Sequence, residues 1–316
     1  MGSRSTASEV HSKAMDHLAT NNKKPQNKIY IVVPVYNRKS FTERFLYCMR
    51  EQTFRNFEII IIDDGSTDGT ADLIEKKFNE VHLLHGDGNL WWTGAINLGI
   101  RDVMRRASED DAILIINDDL EVDSDYLETL YNSLNSMPRT LIGSVVVDIK
   151  NPDSVYDGGR IVNWWTAKFK ILNSKKQLSE FDKNYCVDVS MLTGWGTLIP
   201  IRTFHDIGLY DDKHFQQCGD TELPVRAKNA GYRLIVSYAA VVKVHIEASD
   251  GVNVAGYYSL WDVKNYFFGV KSNCRLKYRF FFSYNTAKSP FAFISFLLFD
   301  LVRITCHFLL RLRIKF

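Results

Sequence analysis

Apolar and polar positions along the chain switch repeatedly between a strand-like and a helix-like pattern. Lys28 to Val35 (KIYIVVPV) is a short β-branched run, which predicts a buried strand. A polar, helix-compatible segment follows from Ser40 to Gln52. Glu58 to Asp64 (EIIIIDD) predicts a second strand ending in the turn-forming GSTDGT, where Asp68 is placed to cap a helix carrying Ile74 and Phe78 on one face. Val81 to His85 reads as a third strand, Thr93 to Arg106 as a third helix and Ala112 to Ile116 as a fourth strand. Leu127, Leu130, Tyr131 and Leu134 then recur at amphipathic helix spacing. Strands alternating with helices predict an α/β fold, a mostly parallel sheet with helices on both faces.

The two ends depart from this pattern. Residues 1–27 are polar with almost no apolar spacing, and they read as a disordered leader without the apolar core of a signal peptide. Residues 28–250 are expected to form the catalytic domain and 251–316 a helical extension. From Pro290 the chain is strongly apolar, but its longest charge-free stretch, Phe291 to Phe299, is shorter than the ~20 residues that span a bilayer. On a helix, Asp300, Arg303, His307, Arg311 and Lys315 form one polar stripe. Leu298, Leu301, Val302, Leu309, Leu312 and Phe316 face the other way. That pattern suits a helix lying on a membrane surface; the alternatives are a helix docked on the protein's own core or on a partner subunit, and a spanning helix with Asp300 and Arg303 paired. Lys271, Arg275, Lys277 and Arg279, interleaved with Tyr278 and Phe280 to Phe282, add a basic-aromatic patch.

Composition narrows the class. With 316 residues, 46% apolar and 24% charged, the chain can bury a sizeable core. A net charge of +2 gives no global field for nucleic acid, which is excluded as a partner. Five scattered cysteines without a CxxC form neither a disulfide framework nor a zinc cluster, and they point to a reducing, cytoplasmic compartment.

In parallel sheets, ligands bind beyond the carboxyl ends of the strands. The sequence sets Tyr36 and Asn37 after the first strand, Asp63 and Asp64 at the end of the second, and Asn117, Asp118 and Asp119 after the fourth. Carboxylates gathered at one edge repel unless a cation neutralises them. No GxxxxGK(S/T), dinucleotide glycine spacing, HExxH or GxSxG is present. A nucleoside diphosphate held through a divalent metal fits what remains.

PVYNR, QTFRNFEIIIIDDGSTDGT, NDDLEVDSDYL and GLYDDKHFQQCGDTELPVRAKNAGYRL followed by VVKVH resemble, in that order, the family 2 inverting glycosyltransferases of GT-A fold. The resemblance runs from about Ile29 to His245. It implies that Pro34, Tyr36 and Asp64 contact the nucleoside, with Asn37, Trp92 and Asn97 on the donor side. Asn117-Asp118-Asp119 stands where the family usually has D-x-D. Asp119 matches the metal ligand for Mn2+ or Mg2+, Asp118 the ribose or water-bridged position, and His245 the histidine that completes the shell. The family's E-D-x-(D/E) reads Gly219-Asp220-Thr221-Glu222, which makes Asp220 the catalytic base. Thr221 is placed to cap the following helix, whose positive end favours the ionised form of Asp220. Glu222 is either an acceptor contact or the partner of Arg226 at i,i+4. Trp195 falls on the acceptor side, and Ile96 replaces the family's usual arginine. Trp91, Trp92 and Asn117 resemble rhamnosyl- and galactofuranosyl-transferring members.

The implied reaction is metal-dependent direct displacement from a UDP- or dTDP-linked sugar to a glycan or lipid-linked hydroxyl in surface polysaccharide synthesis. The enzyme is expected on the inner face of a membrane, bound through its C-terminal helix, with homo-oligomerisation left open. The alternatives are a degenerate nucleotide- or glycan-binding module, a sugar nucleotidyltransferase, and an assembly protein whose tail is the working part.

Overall fold

The computed structural model describes residues 27–245 and 260–313. The chain runs β1 (Ile29–Val35), α1 (Lys39–Arg50), β2 (Phe57–Asp63), α2 (Thr70–Lys77), β3 (His82–His85), α3 (Trp91–Met104), β4 (Ala112–Ile115), β5 (Leu120–Val122) and α4 (Tyr126–Ser136). The second half follows with β6 (Thr140–Asp148), β7 (Asn151–Asp157), β8 (Arg160–Asn163), β9 (Lys168–Ile171), β10 (Cys186–Asp188), β11 (Thr197–Pro200), α5 (Ile201–Ile207), α6 (Glu222–Asn229) and β12 (Arg233–Val244). Three helices close it: α7 (Leu260–Phe268), α8 (Leu276–Thr286) and α9 (Pro290–Arg313).

Ten strands form one sheet in the order β10-β12-β6-β11-β4-β1-β2-β3, with β5 added to β12 and β7 to β6. β1 pairs in parallel with both β2 and β4, and β2 in parallel with β3. β11 runs antiparallel to β4 and β6, which makes the sheet mixed but mostly parallel. The alternation of β1 assigns its side chains to two cores. Ile29, Ile31, Val33 and Val35 pack with Phe45, Ile74 and Leu127 from α1, α2 and α4. Tyr30 and Val32 pack on the opposite face with Ile96, Ile100, Phe204 and Leu223 from α3, α5 and α6. Helices therefore cover both faces, as the alternating pattern requires. Fully buried residues such as Ile100 each contribute about 1.5–3 kcal/mol through removal from water.

The C-terminal helices build a third core. Tyr278, Phe282 and Phe296 pack with Val162, Met191, Phe215 and Val225 of the preceding chain. Thr286 O accepts from Asn229 Nδ2 at 2.9 Å, which ties α8 to the end of α6. On α9, Ala292, Phe296, Asp300, Ile304 and Phe308 form the buried edge. Phe291, Ile294, Leu298, Val302 and Leu309 point outward and are exposed. The polar stripe expected to face water is thus partly inverted. Asp300 is fully buried, paired with Arg303 at 2.5 Å and lying 3.5 Å from Arg279. The charge at Asp300 also does not interrupt the helix. Pro290–Leu310 is long and apolar enough to cross a membrane by length and composition, while one edge lies against the protein. The leader (1–26), the boundary at 250/251, Lys315 and Phe316 lie outside the described residues, as do the side chains of Arg311 and Leu312.

Candidate active site

The first cluster forms where β1, β2 and β4 end. Asn37 takes a left-handed φ of 52°, where Asn is among the residues best tolerated. It docks on the turn after β2: its N–H donates to Ser66 Oγ at 2.8 Å, and its Oδ1 accepts from Thr67 N at 2.7 Å. Pro34 precedes it within β1, opposite Ile62, and Tyr36 beside it is 56% exposed. Asp64 is more occupied than its expected nucleoside role requires. Its Oδ1 accepts from the N–H groups of Gly88 and Leu90 at 2.9 and 3.2 Å, and its Oδ2 from Trp91 at 3.0 Å. It therefore holds the loop that launches α3. Asp68 does not cap α2 as expected: Gly69 holds the cap position, and Asp68 accepts from Thr70 N and Lys39 N.

The second cluster follows β4. Asp118 Oδ1 meets Arg38 Nη1 at 3.1 Å, and its Oδ2 accepts from Thr42 Oγ1 at 2.8 Å. Arg38 Nη2 reaches Asp119 Oδ2 at 2.8 Å. One guanidinium thus bridges two carboxylates. Burial pushes Asp118 up to about 6 against the pull of Arg38. Arg38 lies in the PVYNR segment, and the signal that could have found it is the need for a cation among the clustered acids. It does not satisfy the cluster completely, since Asp119 Oδ1 is buried without a hydrogen-bond partner.

That orphaned oxygen fits a metal ligand. β5 pairs antiparallel with β12, with Leu120 opposite Val244, so the next step in register sets Asp119 opposite His245. His245 Nε2 lies 3.1 Å from Arg44 Nη1 and 3.3 Å from Glu121 Oε1. Among the described residues, no group of three or more His, Cys, Asp or Glu is placed to hold a metal ion. A Mg2+-type ion needs only one or two protein carboxylates when phosphates and water complete its shell. The donor set fits such an ion.

The third cluster lines a cavity of about 610 Å3. Trp92, Asn117, Trp195 and Asp220 stand on its wall, so the segment after β4, the start of α3 and the turn before α6 meet at one cleft. Trp92 Nε1 donates to Asn117 Oδ1 at 2.9 Å, which couples the cavity wall to the acidic cluster. Asp220 Oδ2 accepts from Gly194 N at 2.9 Å. A Cβ at Gly194 would stand 2.8 Å from the Trp92 ring and 3.3 Å from Asp220, so only glycine lets this backbone approach both. Burial raises the Asp220 carboxyl above its ordinary range, outweighing the Gly194 N–H, Arg160 and the N–H groups of its own turn. The expectation that the helix end would keep Asp220 readily ionised is corrected: desolvation is the larger effect. Thr221 makes no cap, and its hydroxyl meets Tyr278 Oη at 3.1 Å instead. Cys218, on the same wall, is pushed up to about 12 by burial and is held as an unreactive thiol.

Of the expected site residues, Asp220, Trp92 and Trp195 line this cavity; the nucleotide-side and metal-side residues lie outside it, and Asn97 and Glu222 are spent on internal ties. Asn97 is buried and fastens α3 to the loop after α5, donating to Tyr210 O at 2.8 Å and accepting from Tyr210 N at 3.1 Å. Glu222 is fully buried between Arg226 Nε at 2.6 Å and Asn285 Nδ2 at 3.0 Å. The expected i,i+4 pair with Arg226 is thus present, but it is buried instead of lying on the surface, and together with Asn285 it ties α6 to α8. Sequence reading also missed Arg160, Arg279 and Arg303, all on the cavity wall. The last two come from the C-terminal helices, where they read as a basic patch for a membrane.

A mixed sheet with polar and acidic residues at the carboxyl ends of β1, β2 and β4, and with Asp220 in a cavity that Asn117 also lines, is the arrangement of a glycosyltransferase of the GT-A class. The sequence profile of Glycosyl transferase family 2 matches residues 30–191, just over half of the chain, and the protein belongs to that family. It is 24% identical over 263 residues to an N-acetylglucosaminyl-diphospho-decaprenol L-rhamnosyltransferase of Mycobacterium tuberculosis, a match covering 75% of this chain and 82% of the relative. S. aureus TarS 1-349 in complex with UDP-GlcNAc shares the fold at a TM-score of 0.54 and 16% identity, covering 89% of this chain and 73% of that one. GalNAc-T7 with UDP, GalNAc and Mn2+ does so at 0.55 and 16% identity, covering 71% of this chain and 44% of that longer one. Family membership decides against the nucleotidyltransferase alternative.

Proposed function

We propose that the protein transfers a sugar from a UDP- or dTDP-linked donor to a hydroxyl of a lipid-linked glycan, with inversion, at the inner face of a membrane. The observation that carries this reading is the shared cavity, in which Asp220 faces the same space as Trp92 and Asn117. Direct displacement needs one group to take the acceptor proton as the new bond forms, and Asp220, oriented by the Gly194 N–H, is suited to it. A divalent ion, Mn2+ or Mg2+, at Asp119 and His245 would neutralise charge on the leaving diphosphate. Asp118, Tyr36, Asn37 and Pro34 are proposed to flank the nucleotide. Trp195, tilted against Tyr156 with ring centroids 6.0 Å apart, offers an aromatic face for a sugar on the acceptor side. Asp64 and Asn97 serve by positioning loops. The rhamnosyltransferase relative supports a deoxyhexose donor and a diphospholipid acceptor, and the outward apolar edge of α9 supports attachment to a membrane surface.

Asp220→Asn tests the reading. Transfer is expected to fall by about 10²–10⁴-fold while nucleotide affinity, measured by calorimetry, stays near wild type. Near-normal turnover would remove Asp220 from the base role.

A further inference from the structure

The cavity has a second charged wall that the reaction above does not use. Arg279 and Arg303 reach it from α8 and α9, and Arg160 from β8. Arg160 is neutralised by Asp157 at 2.6 Å. Arg279 and Arg303 lie over the rings of Tyr278 and Phe169, and among the described residues they share one carboxylate, Asp300. Arg303 makes two hydrogen bonds to Asp300 Oδ1, at 3.1 and 2.5 Å. Arg279 Nε stands 3.5 Å from Oδ2, an ion pair too long for a good hydrogen bond, so that both of these buried atoms lack a hydrogen-bond partner. The Arg279 side chain is 12% exposed. Two guanidinium groups sharing one carboxylate leave one uncompensated positive charge at the edge of a cavity large enough for a ligand.

Two guanidinium groups sharing one carboxylate in a concave site are suited to phosphate, whose oxygens accept the planar fork. Of the donor-side residues, Trp92 lines this cavity, while Tyr36, Asp64 and Asp119 do not. Val302, the neighbour of Arg303 on α9, points outward and is exposed along with Leu298 and Phe299. The helix that supplies a phosphate-binding group on its inner side thus presents hydrocarbon on its outer side.

We infer that Arg279 and Arg303 form a binding site for the phosphate group of a prenyl-diphosphate-type acceptor, whose chain leaves along the exposed apolar edge of α9. This rests on the glycosyltransferase reading and names the acceptor's chemical class. The phosphate is bound and not transformed. It sets the sugar hydroxyl of the acceptor at Asp220 and distinguishes lipid-linked from free glycans.

The test uses the full chain with EDTA and saturating UDP, so that the donor side is filled. Binding of geranyl diphosphate, inorganic pyrophosphate and geraniol is followed by tryptophan fluorescence. Geranyl diphosphate is expected to bind at least tenfold tighter than geraniol, and Arg279→Gln and Arg303→Gln each to remove most of that difference. Thermal melting identifies any variant that does not fold, in which case Arg303→Lys, which keeps the charge beside Asp300 but loses the fork, is read in its place. Asp300→Asn frees both guanidinium groups from their internal partner and is expected to bind geranyl diphosphate at least as tightly as wild type, a result no purely structural role predicts. Equal binding of geranyl diphosphate and geraniol, or arginine variants indistinguishable from wild type, would overturn the assignment. So would diphosphate binding that depends on Asp119 and not on the arginines. Nucleotide-sugar hydrolysis and transfer by the wild type are measured separately. Hydrolysis or transfer without a diphosphate preference sinks this site alone, whereas an arginine-dependent preference with neither hydrolysis nor transfer to a lipid-linked acceptor leaves the phosphate site standing and sinks the proposed reaction.

Discussion

The acidic cluster after β4 and the basic wall from α8 and α9 are built from the same groups in opposite ratio. In the first, Asp118 and Asp119 share Arg38; in the second, Arg279 and Arg303 share Asp300. The first leaves Asp119 Oδ1 buried and unsatisfied; the second leaves Arg279 Nε and Asp300 Oδ2 facing each other at 3.5 Å, both without a hydrogen bond, with two guanidinium groups to one carboxylate. Unpaired charge in a low-dielectric setting is costly, so such an imbalance marks a place where a ligand of opposite sign completes the site. One side calls for a cation and the other for an anion, with Asp220 between them in the proposed reaction.

Four substitutions separate the parts of this comparison, in order of expected size. Asp220→Asn removes the group common to both sides, with the ~10²–10⁴-fold loss given above. The pH profile sharpens it. A protonated carboxyl cannot accept a proton, so the rate rises with pH through the pKa of Asp220. Burial raises that pKa, which places the limb above the ordinary carboxylate value near ~4. The limb should vanish from the residual activity of the variant, and a profile unchanged by the substitution would assign it to another group. Next, Glu222→Ala leaves Arg226 without its carboxylate and cuts the link to Asn285. A cost of about 3–5 kcal/mol in urea unfolding is expected, and a loss below ~1 kcal/mol would show that α6 and α8 do not depend on this tie. Asp119→Ala should weaken nucleotide affinity in the presence of Mn2+ by ~10–100-fold and leave affinity in EDTA unchanged. Equal loss in both conditions would argue against ligation. The smallest effect is expected from Trp92→Phe, which removes the hydrogen bond to Asn117 joining the two regions and costs about 1 kcal/mol, read in thermal unfolding.

The parallel half of the sheet was legible because β-branched runs and amphipathic helices alternate there. Each of the first four strands falls within one residue of its expected start. The strands β7, β8 and β9 were not legible, since they are mostly exposed and carry little alternation, and β8 and β9 are only four residues long. Asp119, Asp220, Trp92 and Trp195 could be picked out because they stand at strand ends or within recognisable motifs. Glu222 and Asn97 were picked out for the same reason, yet both are consumed by internal ties. Sequence position does not reveal whether a polar side chain faces a cleft or the core. The arginines of the C-terminal helices failed in the opposite sense. Arg279 and Arg303 read as solvent-facing or lipid-facing because their partner Asp300, on a different turn or a different helix, becomes buried only when α9 docks.

The central claim is that the nucleotide enters on the acidic side, against a cation at Asp119, and leaves the basic wall free. Crystals grown with Mn2+ and UDP and measured at the manganese absorption edge test it directly. An anomalous peak in contact with Asp119, with the diphosphate between it and the cavity holding Asp220, is the predicted result. A diphosphate seated on Arg279 and Arg303, with no peak beside Asp119, would contradict it.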